Sequence, residues 1–399
     1  MARLAVSLVL VAALLAALDL AVPRWLASEA RGHDASGRVD TFANVVFRSF
    51  EQANRSVNAG VTRAHREFAA LPDAKPEGEI RAFVIGNSAA LFAIAPEALE
   101  ERLSRAYPQR SVRLVPLLVP DAGVIDENLL VRAALSKQAD LVLLTPNLKG
   151  LMLGREVRMR FLRDLFGGET GPDEAGEAES WRTRPGDALR RFLLRHWQTY
   201  RARDELRERL LDRLEAVLPG PDRAQERARI EAAFAEIERA ARRRDVGALL
   251  DVYHRNGMDA FVPAGLPAGD VPRGAPVFRT MRRTAEEVRR AGAMGVAIFL
   301  PVNPLYRDRA ATRDHPEVRV HDATLRRIAR VSLELYQRAG FATADRLDAL
   351  PPEAFIDLVH ANASGMRQFT ETAARVLIRA LRAIERREGR SLAEDPADA

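Results

Sequence analysis

Cysteine is absent from this chain of 399 residues, and the absence removes several kinds of chemistry at once. Without cysteine there are no disulfide bonds, no thiolate ligands for a metal and no cysteine nucleophile. A cysteine-free composition is compatible with the cytoplasm and equally with a bacterial envelope, so it leaves the compartment open.

Motifs for nucleotides, nucleic acids and metal ions are missing as well. There is no G-x-x-x-x-G-K-[ST] loop, and no G-x-G-x-x-G pattern follows Gly86, which argues against nucleotide binding. The chain carries 61 Lys and Arg against 55 Asp and Glu, but these charges are mixed along predicted helices without an aromatic-interleaved basic stripe, so no nucleic-acid partner is expected. Six of the seven histidines lie scattered among charged segments without an H-E-x-x-H motif, so we predict no metal and no other cofactor. They are His33, His65, His196, His254, His315 and His321.

Long apolar runs are absent except at the amino terminus. With 47% hydrophobic and 29% charged residues, the chain is expected to be globular and long enough for more than one domain. Residues 4–22 form an apolar run interrupted only by Ser7 and Asp19, which is long enough to span a bilayer. A Pro-Arg-Trp sequence at residues 23–25 suits the membrane interface. We therefore predict a signal anchor within residues 1–25, with a cleaved signal peptide as the competing interpretation.

An uncleaved anchor would place the remaining chain outside the cytoplasm. Because this run is the only one of such length, we expect a single-pass protein of the bacterial inner membrane, with its main domain in the periplasm or extracytoplasmic space. Arg3 and Arg24 flank the two ends almost equally, so the distribution of positive charge does not decide the orientation.

The sequence beyond the anchor begins with a polar segment and then alternates between strands and helices. Residues 26–78 carry apolar positions spaced as on one helix face, which predicts a partly helical juxtamembrane segment. From residue 79 onward, short apolar runs alternate with helical patterns. This alternation predicts an α/β fold with a parallel sheet and right-handed crossovers. The first three predicted strands lie at residues 81–85, 112–119 and 140–145.

The pattern changes after residue 150, where long stretches rich in Arg, Glu, Ala and Leu begin. We interpret residues 151–270 as a helical insertion that forms a cap beside the site or an arm that binds a partner, with no catalytic residue of its own. Strand-like sequence resumes at residues 295–301 and 341–344. The α/β domain is therefore expected to consist of residues 79–150 and 271–390.

Polar residues stand at three predicted turns where a buried core needs none. Ser88 follows the first predicted strand, and Asn147 follows the third. At the third turn, Asp357 and His360 form an Asp-x-x-His pair. The carboxyl ends of parallel strands are where sites form. A serine hydroxyl becomes a nucleophile when an imidazole takes its proton, and a carboxylate fixes the imidazole tautomer. Ser88, His360 and Asp357 thus predict a catalytic triad, although an Asp-x-x-His pair is also compatible with a helix cap followed by a surface histidine.

These blocks together resemble the SGNH (GDSL-like) hydrolase superfamily. The Gly-Asn-Ser sequence ending at Ser88 stands where that family usually has Gly-Asp-Ser, and a His-Ala-Asn-Ala-Ser-Gly sequence continues from His360 into an amphipathic helix, as is usual after the family's catalytic histidine. The resemblance implies a flavodoxin-like three-layer α/β/α fold. It also implies that the amide of Gly123 and the side chain of Asn147 form the oxyanion hole. The third block departs from the family pattern, because Leu148 follows Asn147 where an aspartate is usual.

The anchored architecture further resembles exported proteins that acylate cell-envelope polymers, such as the alginate O-acetylation proteins and the D-alanylation protein of teichoic acids. The resemblance implies a serine esterase or O-acyltransferase that acts on an acylated polysaccharide or related polymer, with a membrane-bound O-acyltransferase as a partner. Whether the acyl group passes to water or to a sugar hydroxyl stays open. Two other hypotheses about the function remain. The protein could be a catalytically inactive SGNH-like scaffold of an envelope-assembly complex, or an anchored α/β binding module.

Overall fold

The structure, a computed structural model, describes most of the chain from residue 68 onward. The predicted anchor at residues 1–25 lies almost entirely outside the described residues, and so does most of the predicted juxtamembrane segment. In the described part of the chain, no helix is both long and apolar enough to cross a membrane. The described ranges are 68–120, 122–148, 223–263, 265–269 and 276–387, with scattered positions between residues 17 and 66 and between residues 151 and 210.

The chain separates into two compact units. One consists of Met1–Arg66 with Arg160–Gln225, and the other of Glu67–Met159 with Glu226–Ala399. The boundary near residue 225 falls inside the predicted insertion, so the second half of that insertion belongs to the same unit as the sheet and the candidate triad. The described part of the first unit includes a short helix, Gln198–Arg201.

Five strands form one sheet, in which every neighbouring pair is parallel. The order across the sheet is β2-β1-β3-β4-β5, so β1 lies between β2 and β3. The α/β class and the parallel sheet predicted from the sequence are confirmed. The strands are β1 (Glu79–Gly86), β2 (Ser111–Leu118), β3 (Leu141–Leu144), β4 (Met294–Phe299) and β5 (Ala342–Asp345).

The burial of each strand follows its position in the sheet. The central strands β1, β3 and β4 are buried along nearly their whole length, which is why they read as continuous apolar runs. The edge strand β5 is mostly half-buried and consists of Ala-Thr-Ala-Asp. Its weaker apolar character is typical of an edge strand, which has a neighbouring strand on one side only.

Two groups of helices pack around the sheet. In one group, the helix Ala363–Arg387 (α9) contacts the two helices between β1 and β2 (α1 and α2). In the other, the helix Pro276–Arg290 (α7) contacts the helix between β2 and β3 (α3) and the helix between β4 and β5 (α8). The Gln198–Arg201 helix is α4, and the helices α5 and α6 precede α7 along the chain. The remaining bounds are α1 (Ser88–Ala93), α2 (Pro96–Ala106), α3 (Val124–Ser136), α5 (Arg223–Arg242), α6 (Val246–Arg255), α7 (Pro276–Arg290), α8 (Asp322–Arg338) and α9 (Ala363–Arg387).

Residues 223–255, in the second half of the predicted insertion, form two helices, α5 and α6, with a break between them. The chain turns at Arg244, whose φ is 57°, a value that ends a right-handed helix. Asp245 then caps α6, because its Oδ1 accepts a hydrogen bond from the amide of Ala248 at 2.9 Å. Aspartate is a preferred residue at this position. The break is set by a cap and not by glycine or proline, so the helical periodicity alone did not reveal it.

A partly buried polar network joins α3 to α7. Asn128 donates from Nδ2 to Thr284 Oγ1 at 2.8 Å and to Glu287 Oε2 at 2.9 Å. One turn later, Arg132 forms an ion pair with Glu287 at 3.1 Å. Asn128 and Arg132 share a helix face because they are four positions apart. Hydrogen bonding of this kind offsets the cost of burying the polar groups.

Glu127, the neighbour of Asn128 on α3, is a buried carboxyl group. Burial, and to a smaller extent the charge of Asp126, raise its pKa to about 8. Both effects disfavour the ionised form. The group is therefore protonated in the folded protein at neutral pH, whereas it ionises in the unfolded chain above its usual pKa of 4.5.

Glu127→Gln should remove a pH dependence of stability. Because the folded state holds its proton up to about pH 8, the unfolding free energy of the parent should fall as pH rises from the unfolded pKa to the folded one. The loss from this group is on the order of 3 kcal/mol between pH 5 and pH 8. Urea unfolding at both pH values measures it. The exposed Glu231→Gln is the control, and equal pH slopes for parent and Glu127→Gln would contradict the assignment.

Candidate active site

Ser88 lies at the junction of β1 and α1. The strand ends at Gly86, and the helix begins at Ser88 with Asn87 as its cap. The Oδ1 atom of Asn87 accepts a hydrogen bond from the amide of Ala89 at 3.0 Å, which is the role that favours asparagine at this position. The serine hydroxyl is thereby held at the carboxyl edge of the sheet, where parallel sheets form their sites.

Gly86 is required by the close approach of β1 and β3. A Cβ atom at this residue would lie 2.0 Å from Thr145 Oγ1 and 2.7 Å from the Cβ of Ala90. The Thr145 hydroxyl occupies that place because it donates to the carbonyl of Ile85 at 2.9 Å. The glycine before Asn87 and Ser88 is thus explained by packing, since any side chain here would push β3 or α1 away.

The Asp357-x-x-His360 pair forms a turn held by one carboxylate. Asp357 Oδ1 accepts hydrogen bonds from the amides of Val359 at 2.8 Å and His360 at 2.7 Å. Its Oδ2 contacts His360 Nδ1 at 2.6 Å. Aspartate side chains commonly bond to backbone amides two or three residues ahead. Here that local habit also places the carboxylate against the imidazole.

Ser88, His360 and Asp357 lie in one hydrogen-bonded line. The Nε2 atom of His360 is 3.0 Å from Ser88 Oγ, and its Nδ1 atom faces Asp357. All three side chains are buried. The structure therefore brings together the three residues that the sequence predicted as a triad, with spacings suited to proton transfer from the hydroxyl to the imidazole.

The Asp357 carboxylate is ionised at neutral pH despite its burial. Burial raises its pKa, but the charge and hydrogen bonds of His360 and the amide of Val359 outweigh that effect, so the pKa lies below its usual value of 3.8. A negative charge at Nδ1 stabilises the imidazolium that forms when His360 takes a proton. The electrostatics and the geometry favour the same role for the pair.

Two aromatic rings flank the imidazole. Phe92 of α1 meets His360 edge-on, with ring centroids 5.2 Å apart and planes at 83°. Phe261 also meets it edge-on, at 6.1 Å and 64°. Such T-shaped pairs are favourable for aromatic rings. Phe261 belongs to the predicted insertion, so the second half of that insertion flanks the candidate site.

The two side chains Asn87 and Asn147 bind each other. Asn147 donates to Asn87 Oδ1 at 3.1 Å and to the carbonyl of Thr145 at 3.2 Å. In return, Asn87 donates to Asn147 Oδ1 at 3.3 Å and to the carbonyl of Ala122 at 3.4 Å. Asn147 therefore lies next to the residue that precedes Ser88. An aspartate at position 87 has no N–H to donate, which gives a physical reason for asparagine there.

Gly123, the second predicted oxyanion donor, is engaged elsewhere in this structure. Its amide donates to Asp126 Oδ2 at 3.0 Å, as part of the cap of α3. Asn147 likewise donates to Asn87 and Thr145. The structure thus places both predicted donors on loops at the ends of β2 and β3, with their N–H groups bound to protein atoms.

Asn303 is a residue of the site that sequence reasoning missed. Its Nδ2 donates to the carbonyl of Asp357 at 3.1 Å, and its amide donates to the carbonyl of Leu358 at 2.9 Å. It is buried and holds the turn that carries Asp357 and His360. A signal was present, because Asn303 follows a predicted strand in a Pro-Val-Asn-Pro sequence, the kind of position used to select Ser88 and Asn147.

No group of three or more His, Asp or Glu side chains in the described ranges is arranged to hold a metal ion. His254 pairs with Asp259 at 2.5 Å and His315 with Glu317 at 3.4 Å. These are pairs, and a metal site normally needs three or more protein ligands.

Gly86→Ala should destabilise the protein and displace Ser88. The added Cβ collides with Thr145 Oγ1, and overpacking of this kind costs about 1–3 kcal/mol. In a Thr145→Ala background the collision with the hydroxyl is gone, so the same substitution should cost less. Urea unfolding of the parent, both single variants and the double variant gives this difference. Strict additivity of the two changes would contradict the packing explanation.

Comparison with known proteins assigns the chain to no family. No protein-family model and no curated protein sequence matches it. The distances, burial and charges of Ser88, His360 and Asp357 are therefore the observations that mark them as a candidate site.

Proposed function

We propose that this protein is a serine esterase or O-acyltransferase that carries an acyl group on Ser88. The observation that carries the proposal is the continuous hydrogen-bonded line from Ser88 Oγ to His360 at 3.0 Å and from His360 to Asp357 at 2.6 Å. A serine, an imidazole and an ionised carboxylate in this order are the parts that nucleophilic acyl transfer needs.

The proposed first half-reaction forms an acyl-enzyme. His360 Nε2 takes the proton from Ser88 Oγ as that oxygen attacks the acyl carbonyl carbon, and Asp357 stabilises the resulting imidazolium through Nδ1. The imidazolium then gives the proton to the departing oxygen, and the bond between the acyl carbon and that oxygen breaks. The products are an ester on Ser88 and a released hydroxyl compound.

The proposed second half-reaction uses the same groups in reverse. His360 takes a proton from the acceptor hydroxyl, whose oxygen attacks the ester carbonyl on Ser88. The proton returns to Ser88 Oγ when the tetrahedral intermediate collapses. Water as the acceptor gives an esterase, and a sugar hydroxyl gives an O-acyltransferase.

Stabilisation of the oxyanion is proposed for Asn147 and Gly123, with the amide of Ser88 as a third donor. Asn147 would have to exchange its hydrogen bond to Asn87 for one to the oxyanion. The amide of Gly123 would similarly have to leave Asp126. In this proposal, substrate binding rearranges hydrogen bonds that the protein otherwise satisfies internally.

The fold proposed is the flavodoxin-like three-layer α/β/α arrangement of the SGNH hydrolases. The strand order 2-1-3-4-5 is the flavodoxin-like order. With right-handed crossovers, the step from β1 to β2 and the steps in the other direction put their helices on opposite faces. The two groups of helices, one around α9 and one around α7, support that layering.

The substrate, partner and location are proposed from the sequence. We propose an acylated cell-envelope polysaccharide or polymer as the substrate and a membrane-bound O-acyltransferase as the source of the acyl group. A single anchor within residues 1–25 would hold the domain at the periplasmic face of the bacterial inner membrane. The apolar run at residues 4–22 supports the anchor, since its length matches the bilayer core.

One observation favours a second candidate function, an inactive SGNH-like scaffold of an envelope-assembly complex. The amides of Gly123 and Asn147 are both bound to protein atoms. If these bonds never exchange, the tetrahedral intermediate loses two donors, and removing even one such donor costs on the order of 10²–10³ in kcat. The triad geometry favours the enzyme, and activity measurements separate the two.

Variants of the triad should show effects that do not add. Ser88→Ala and His360→Ala should each lower turnover of p-nitrophenyl acetate on the order of 10⁴-fold or more, and the double variant should be about as inactive as either, because the residues act as one unit. Asp357→Asn should lower kcat on the order of 10⁴-fold, because the tautomer of His360 is no longer fixed.

The control is Ser364→Ala, an exposed serine four residues after His360, which should keep parent activity. Circular dichroism of every variant tests for unfolding. Activity that survives Ser88→Ala would eliminate the proposed chemistry, whereas a parent that neither hydrolyses esters nor reacts with a fluorophosphonate probe would favour the scaffold.

Membrane topology provides a separate expected outcome. Alkaline phosphatase fused after Ala399 should be active, because the fusion would lie outside the cytoplasm, and green fluorescent protein fused there should be dark. Removing residues 1–25 should reverse both signals. If the green fluorescent protein fusion of the full chain were fluorescent and the phosphatase fusion inactive, the proposed location would be wrong. The proposal for Ser88, His360 and Asp357 would be unaffected.

A further inference from the structure

Helix α6 of the predicted insertion reaches the loop that carries the triad acid. Tyr253 on this helix is completely buried, and its hydroxyl donates a hydrogen bond to the carbonyl of Ile356. Ile356 immediately precedes Asp357. A helix from between β3 and β4 therefore contacts the triad loop that follows β5, about a hundred residues further along the chain.

Three consecutive carbonyl groups of this loop are bound by donors from other elements. The carbonyl of Ile356 is bound by Tyr253, and those of Asp357 and Leu358 are bound by the side chain and the amide of Asn303. Each bond fixes the orientation of one peptide plane. Since the planes on both sides of an α-carbon set its φ and ψ angles, the direction in which the Asp357 side chain leaves the backbone is fixed.

A second tyrosine lies behind the first. The hydroxyl of Tyr306 is 3.4 Å from the hydroxyl of Tyr253, and Tyr306 is also completely buried. Burial raises the pKa of Tyr253 well above its usual value, and the nearby Tyr306 and Asp357 act in the same direction. The hydroxyl of Tyr253 thus keeps its proton and remains a donor to Ile356.

We propose that Tyr253 is a positioning residue of the triad, which holds the Ile356 carbonyl and thereby keeps the Asp357 carboxylate against His360. The proposal rests on the proposed acyl-transfer function, but it makes a structural claim that can be measured without catalysis. Tyr253 touches no reacting atom and acts through Asp357. On this view, the second half of the predicted insertion completes the active site, and its role is not limited to covering it.

The chain offers a matched control in Tyr107. This residue is also a buried tyrosine, and its hydroxyl donates to a backbone carbonyl, that of Ile378, at 3.0 Å. The bond joins the end of α2 to α9 and does not involve the triad loop. Replacing either tyrosine by phenylalanine removes one hydroxyl and its hydrogen bond to a backbone carbonyl, so both variants lose a bond of the same kind, but only Tyr253→Phe alters the triad loop.

The experiment compares the full-length parent with Tyr253→Phe and Tyr107→Phe. The first readout is the low-field proton resonance of His360 Nδ1–H in ¹⁵N-histidine-labelled protein, assigned by its loss in His360→Ala. The second is the rate at which a fluorophosphonate probe labels Ser88. Tyr253→Phe should broaden or abolish the resonance and slow labelling about tenfold or more, whereas Tyr107→Phe should leave both at the parent values.

Separate measurement of kcat and KM distinguishes a positioning role from a purely structural one. With p-nitrophenyl acetate, Tyr253→Phe should lower kcat with little change in KM, because the interaction lost serves the transition state and not substrate binding. Replacement of Tyr253 by 4-aminophenylalanine keeps a donor on the ring and should restore part of the labelling rate. This variant also carries the comparison with the parent if Tyr253→Phe does not fold.

The outcomes distinguish the two proposals. A Tyr253→Phe protein that keeps the resonance and the labelling rate of the parent overturns the positioning role, and so does an equal loss in Tyr107→Phe. A parent that is never labelled overturns the proposed chemistry, while the resonance still decides whether Tyr253 holds Asp357 against His360.

Discussion

The hydrogen bonds of a single carboxylate, that of Asp357, govern the geometry of the candidate site. One oxygen folds the turn by accepting the amides of Val359 and His360, and the other holds the imidazole. The backbone of the turn and the ring of the base therefore cannot move independently. A buried carboxylate with this many donors also keeps its charge. Asp357 and His360 thus form one hydrogen-bonded unit, and the sheet brings Ser88 to it.

Three polar groups near this unit, those of Asn87, Asn147 and Gly123, are bound to other protein atoms. Asn87 and Asn147 exchange amide hydrogen bonds, and Gly123 binds Asp126. A closed network of this kind stabilises a unique arrangement, because an unpaired polar group in a buried site is costly. It also means that a ligand must compete with protein acceptors for the same N–H groups. The hydrogen bonds that stabilise the site therefore also lower the affinity with which a ligand could bind these N–H groups.

Local sequence patterns were enough to predict the fold class and the candidate triad. Contacts between helices and loops far apart in the sequence could not be predicted in this way. The strands β1, β3 and β4 were visible because central parallel strands are continuous apolar runs, and Asp357 and His360 because their spacing is local. Tyr253 and Phe261 gave no signal, since nothing in a charge-rich helical stretch indicates which distant loop it will contact. The engagement of Gly123 was equally hidden, because helix capping by Asp126 depends on backbone geometry.

The distance in sequence between Ser88 and His360, 272 positions, has a consequence for biosynthesis. The Ser88 hydroxyl meets the His360 imidazole only after nearly the whole chain has been made and α9 has docked beside α1. Contacts of such long range form late, because the entropy of closing a long loop must be overcome first. A nascent chain therefore holds Ser88 without its imidazole partner, and the hydrogen bond between Ser88 and His360 forms only in the completed molecule.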